Sequence, residues 1–133
     1  MKRTLASLGA AAVLAAGALA LTPGSAAAAD GCWGNAGQKQ AFGKTYTARY
    51  CHNYQGDVVG VYETDTGYLY SGDNWFVCQV QYGENAPVGD AKNNWWLWTQ
   101  GDDAYSDGGW GWFPANKVSG GNNYEPIPGL ATC

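Results

Sequence analysis

The clearest periodic signal in the chain is a two-residue alternation. In Lys44 to Tyr50, Tyr46, Ala48 and Tyr50 fall on one side and Thr45, Thr47 and Arg49 on the other. Trp75 to Tyr82 alternates the same way: Phe76, Cys78, Val80 and Tyr82 share a face, with Gln79 and Gln81 opposite. Strict alternation over this length predicts half-buried strands, and the cysteine-bearing face is expected inward. Trp95 to Thr99 is a third such strand, with Trp96 and Trp98 opposite Trp95 and Leu97. Shorter runs at Val58 to Tyr62, Tyr68 to Tyr70 and Trp110 to Phe113 read as further strands. Turn residues punctuate them at Gly56-Asp57, Asp65-Thr66-Gly67, Ser71-Gly72-Asp73-Asn74 and Gly101 to Gly109. Gly83 to Asn94 is expected as a polar loop, Pro114-Ala115-Asn116 as a short 3₁₀ turn, and Gly120 to Cys133 as an irregular tail. The expected fold is all-β: a small barrel of five to six short strands in about 75 residues.

The N-terminus follows different rules. Lys2 and Arg3 precede an apolar Ala/Leu run from Leu5 to Leu21, which Pro23 and Gly24 break, and Ala27-Ala28-Ala29 offers small residues for cleavage. That order predicts a secretory signal peptide over 1–29 rather than a stable membrane anchor. A lipidated Cys32 is disfavoured because Asp30 and Gly31 precede it. The remainder divides into a polar lead-in over 30–43, a barrel over 44–119 and a tail over 120–133. Cleavage after Ala29 removes two of the seven basic residues, so five face eleven acidic ones, a net charge of −6. Such a balance argues against nucleic acid or anionic lipid as the partner.

All seven Trp, nine Tyr and three Phe lie beyond the signal. Aliphatic residues are scarce there, so rings must build the core. A domain of this size has little room for seven indoles, and some are expected on the surface as a binding site. The four cysteines, Cys32, Cys51, Cys78 and Cys133, are even in number in an exported chain, which predicts two disulfides with three pairings open. There is no Cys-x-x-Cys and only one histidine, so no structural metal is expected.

Catalytic constellations are weak. His52 adjoins Cys51, but neighbours on a strand point to opposite faces, and an oxidised cysteine is no nucleophile. Ser71, Ser106 and Ser119 lack a nucleophile-elbow context. Asp73, Glu84, Asp102, Asp103 and Asp107 sit beside Gly, Asn or Ser, where turns place them. Asp103 to Gly108 fails as a calcium loop, because Tyr105 and Pro114 occupy ligand positions. No cofactor is expected, and the chain reads as non-enzymatic.

The stretch Gly111-Trp112-Phe113-Pro114-Ala115-Asn116-Lys117-Val118 resembles the Gly-aromatic-apolar-Pro-x-Asn-Tyr-Val signature of SH3-like domains. Trp95-Trp96-Leu97 is similar to the Trp-Trp pair of their middle strand. With Trp75-Phe76-Val77-Cys78 and the tail Tyr124 to Leu130 ending in Cys133, the chain resembles secreted actinobacterial SH3-like proteins over roughly 44–133. The resemblance implies a ligand groove of Trp95, Pro114 and Asn116 with Tyr54 or Tyr62, receiving an extended peptide. Lys117 stands where the family has Tyr, which alters one wall. The resemblance also supports Cys78–Cys133; Cys32–Cys51 would then tie the lead-in to the first strand. The expected function is a secreted binding module for a peptide, a cell-wall component or an extracellular protein. The alternatives are a small extracellular protease inhibitor and a cell-wall hydrolase.

Overall fold

The computed structural model describes residues 31–133. The expected signal peptide over 1–29 lies outside them. The described chain is all-β, with strands β1 (Cys32–Trp33), β2 (Gln38–Ala41), β3 (Lys44–Thr47), β4 (Arg49–Asn53), β5 (Gly56–Val59), β6 (Asp65–Leu69), β7 (Gly72–Phe76), β8 (Gln79–Gln81), β9 (Trp95–Gln100), β10 (Asp103–Ala104) and β11 (Trp110–Pro114). Short 3₁₀ turns cover Asp107–Gly109 and Ala115–Lys117. A six-stranded antiparallel sheet has the order β10-β6-β5-β11-β9-β8; β1-β4-β7 and β2-β3 form two smaller sheets. These ladders do not join into a closed barrel among the described residues.

Three expectations are corrected by where the backbone bonds go. The polar lead-in over 30–43 contributes a strand: β2 and β3 form a hairpin around Phe42-Gly43, with Ala41 opposite Lys44. Both turn residues have positive φ, 54° and 76°, the geometry that matches the twist of a two-residue hairpin. The strand expected over Lys44 to Tyr50 breaks at Ala48. Its N–H donates to Gly37 O at 2.8 Å and its carbonyl accepts from Ala36 N at 2.7 Å, so the lead-in captures it. The strand expected over Trp75 to Tyr82 breaks as well. At Val77 and Cys78 the chain crosses between sheets, bonding to both sides of Trp98 at 2.9 and 2.8 Å. Four consecutive residues, Phe76 to Gln79, are therefore buried, and the alternation emerges shifted: Gln79 points in, while Val80 and Tyr82 turn outward.

β9 and β11 set the core. Their register places Leu97 opposite Phe113 and Trp98 opposite Trp112. Leu97, Thr99 and Phe113 are fully buried on the inner face, where Phe76 and Phe113 meet with ring centroids 5.9 Å apart. Val58, Leu69, Ala115 and Val118 complete this main core. Gly111 lets β5 and Thr66 approach, since a Cβ there would sit 2.6 Å from Val59 O and 2.8 Å from Thr66 Oγ1.

The tail is irregular in path but integral to the packing. Ile127 and Leu130 are buried in the main core. Gln79 holds them: its amide donates to Ile127 O and Leu130 O at 2.8 and 2.9 Å, and its carbonyl oxygen accepts from Ile127 N at 2.8 Å. Cys78 is bonded to Cys133 and Cys32 to Cys51. The first closure spans 55 residues and the second 19; chain-entropy arguments give them about 4 and about 3 kcal/mol respectively.

Candidate functional site

The outer face of β9 and β11 is paved with indoles. Alternation that buries Leu97 and Phe113 sends Trp96, Trp98, Trp110 and Trp112 the other way. Trp98 meets Trp112 edge-on at 4.8 Å and stacks against Trp110 at 6.1 Å. Trp110 continues to Trp75 of β7 at 5.4 Å. The β2–β3 hairpin lies over one half of this pavement. Phe42 stacks on Trp112 at 5.4 Å and abuts Trp98 at 5.0 Å, and the Lys39 ammonium sits 4.5 Å above the Trp75 ring. Tyr46, Val77 and Cys78 are the buried members of this second cluster. A left-handed Phe costs about 1–2 kcal/mol; at Phe42 the two ring contacts offset it.

The other half stays open as a groove of about 550 Å³. Trp96, Trp112, Val59 and Val80 line it, with Tyr82 and Val61 alongside and Glu63 and Glu84 supplying carboxylates. No lysine or arginine is among its lining residues. Each wall is fixed by a nameable bond. The Trp96 indole N–H donates to Gly83 O at 2.7 Å, holding the ring. The Tyr124 hydroxyl donates to Glu84 Oε2 at 2.7 Å, tying the tail to the rim. That bond raises the Tyr124 pKa above the ordinary phenol value, with burial adding to it. Glu63 stands at φ 63°, in a turn whose N–H donates to Gly60 O at 2.9 Å.

The five residues expected to form one ligand face are dispersed. Trp95 packs on the main core from the inner face of β9. Pro114 pairs with Trp96 in register and so belongs to the outer face. Asn116 is buried; its Nδ2 donates to Ala86 O at 2.7 Å, anchoring the 83–94 loop. Tyr54 is exposed after β4, its N–H donating to Lys117 O. Tyr62 is exposed between Val61 and Glu63, beside the groove. Trp96 and Trp112, absent from that expectation, form the floor. The alternation contained the signal, since Trp96 must oppose Trp95, but two adjacent tryptophans do not announce which one is inside.

The catalytic candidates are held in local contacts. Cys51 carries a disulfide and is no thiol. His52 Nδ1 pairs with Asp73 Oδ1 at 2.9 Å across β4 and β7, both side chains more than half exposed. Asp102 accepts the Tyr70 N–H at 2.9 Å and Asp103 accepts the Tyr70 hydroxyl; the latter bond raises the Tyr70 pKa. These carboxylates fasten the β10 edge. Among the described residues no group of three His, Cys, Asp or Glu is placed to hold a metal. Comparisons with protein-family models, curated proteins and solved structures found no match for this chain.

Proposed function

We propose that the protein is a secreted, non-enzymatic binding module of SH3-like type that takes an extended peptide along the Trp96–Trp112 groove. The observation that carries this reading is the groove itself: an apolar aromatic floor with carboxylates at Glu63 and Glu84 and no cation among its lining residues. Rings held in place offer a flat slot with little ordering cost on binding. The pavement also has an internal occupant that illustrates its preference. The β2–β3 hairpin crosses it, its extended first strand laying the Lys39 ammonium on an indole and its turn inserting Phe42. A ligand of the same chemistry, an extended segment pairing an apolar side chain with a basic one, suits the open half. Two disulfides suit an oxidising, extracellular setting, where a cell-wall peptide or a secreted protein would supply such a segment. The SH3-like assignment is supported by Gly111 to Pro114 lying in a strand paired with the Trp95-Trp96 strand, followed by a 3₁₀ turn at Asn116.

A panel of extended peptides tests the reading, scored by tryptophan fluorescence against the oxidised secreted protein. Peptides joining an apolar residue to lysine or arginine should bind, and the same peptides with glutamine in place of the basic residue should bind several-fold more weakly. Trp112→Ala should weaken binding about thirtyfold, equivalent to about 2 kcal/mol. Equal binding by basic and neutral peptides, or no loss in Trp112→Ala, would refute the groove as the site.

A further inference from the structure

The three-stranded sheet carries a second exposed arrangement, on different residues. β1 is only two residues long. Cys32 lies directly opposite Cys51 and is bonded to it, which places Trp33 opposite Tyr50. On β4, Tyr50 and His52 face out while Cys51 and Asn53 face in. Trp75 and Asp73 of β7 stand opposite Tyr50 and His52. One row of the outer face is therefore Trp33–Tyr50–Trp75, and the adjoining position pairs His52 with Asp73.

Trp33 is 46% exposed and Tyr50 38%. Their ring centroids lie 6.4 Å apart with planes inclined by 38°, and Trp33 belongs to neither core cluster. Yet the backbone that carries the indole is tied down. The disulfide sets its register, and the Arg49 guanidinium donates to Gly34 O at 2.7 Å just beyond it. Gly34, at φ 72°, turns the chain away past the Tyr50 ring. An exposed ring on a fixed backbone, outside both core clusters, is a pre-organised contact for something outside the molecule.

We propose that Trp33, Tyr50, His52 and Asp73 form a platform for a neutral polysaccharide chain. The C–H faces of sugar rings pack on the negative faces of the indole and phenol. Sugar hydroxyls donate to the free Asp73 oxygen and bond to the second ring nitrogen of His52. With His52 paired to Asp73, the four residues present no cluster of like charge, which suits an uncharged chain. A peptide added as an extra strand is disfavoured, because the Cys32 N–H already donates to Pro128 O at 2.9 Å.

The test is retention of the oxidised secreted protein on insoluble chitin and on microcrystalline cellulose, both uncharged. The wild type should be depleted from solution by at least one polymer. Trp33→Ala should reduce retention about tenfold or more, as hot-spot rings do, and Asp73→Asn severalfold. Trp33→Phe should retain part, and Trp96→Ala should bind the polymer as well as the wild type. Failure of both polymers to retain the wild type overturns the proposal, as does undiminished retention in Trp33→Ala. If Trp33→Ala lowers the melting temperature by more than a few degrees, Trp33→Phe and Asp73→Asn decide, and wild-type retention by both overturns it. Loss of polymer binding in Trp96→Ala alone moves the glycan to the groove and equally refutes the platform.

Discussion

The two faces of the β9–β11 pair differ by one residue step and by almost everything else. The inner face carries Leu97, Thr99 and Phe113, all fully buried. The outer face carries Trp96, Trp98, Trp110 and Trp112, each only partly buried. The inner face is finished by Phe76 of the three-stranded sheet and by the tail. The outer face is half finished: a hairpin from the lead-in packs Phe42 on Trp98 and Trp112, and the rest opens to solvent as a groove. A side chain that folds the domain and one that meets a ligand can therefore be immediate neighbours. The backbone period of two, more than residue type, assigns the roles.

The strongest way to break that contrast is to truncate a ring on each face. Phe113→Ala leaves a cavity beside Phe76 and should cost about 3–5 kcal/mol; in a domain of this size that lowers the melting temperature by well over 10 °C. Trp96→Ala, on the outer face, should leave melting within a few degrees of the wild type while peptide binding falls at least tenfold. Thermal unfolding and peptide titration on the same two variants decide it. Comparable melting losses would show that the outer face is core as well.

The tail offers a smaller but sharper probe, because it joins the inner core to the groove rim. Gln79→Leu removes the buried amide that satisfies Ile127 N, Ile127 O and Leu130 O. Stranded backbone groups cost about 1–3 kcal/mol each, offset in part by relaxation of the tail, so a loss of about 3 kcal/mol is expected in denaturant unfolding. Amide exchange should accelerate at Ile127 before it does in β9. Uniform protection would mean the Cys78–Cys133 bond alone holds the tail.

The smallest expected effect tests the rim. The Tyr124–Glu84 bond raises the folded-state pKa of Tyr124 above its unfolded value near 10. The bond's contribution is thus fully present below about pH 10 and is lost as pH rises through the raised value. Tyr124→Phe should be slightly less stable than the wild type near pH 8, with the difference closing at strongly alkaline pH. A gap that is constant with pH would assign the effect to packing instead.

Much of the architecture was legible in the residues. Alternation located β9 and β11, the even cysteine set implied two disulfides, and Cys78–Cys133 and Cys32–Cys51 are the bonds formed. The excess of indoles over what a small core needs pointed to an aromatic surface. What alternation alone left undecided is which phase faces inward. Trp95 and Trp96 are chemically identical, and only the packing of Leu97 on Phe113 sends the first toward the core and the second toward the groove. Phe42 lies in the polar lead-in, and its role depends on a hairpin folding back across β9 and β11. Gln79 was expected on the polar face, but the sheet crossing at Val77–Cys78 shifts the phase and makes it the buried anchor of the tail. The sequence by itself determined strand chemistry, disulfide capacity and acidic charge, because these depend on residue type and near neighbours. Only the tertiary structure decided the open aromatic face and the residues of the groove, because those depend on which distant segments arrive to cover each side of a sheet.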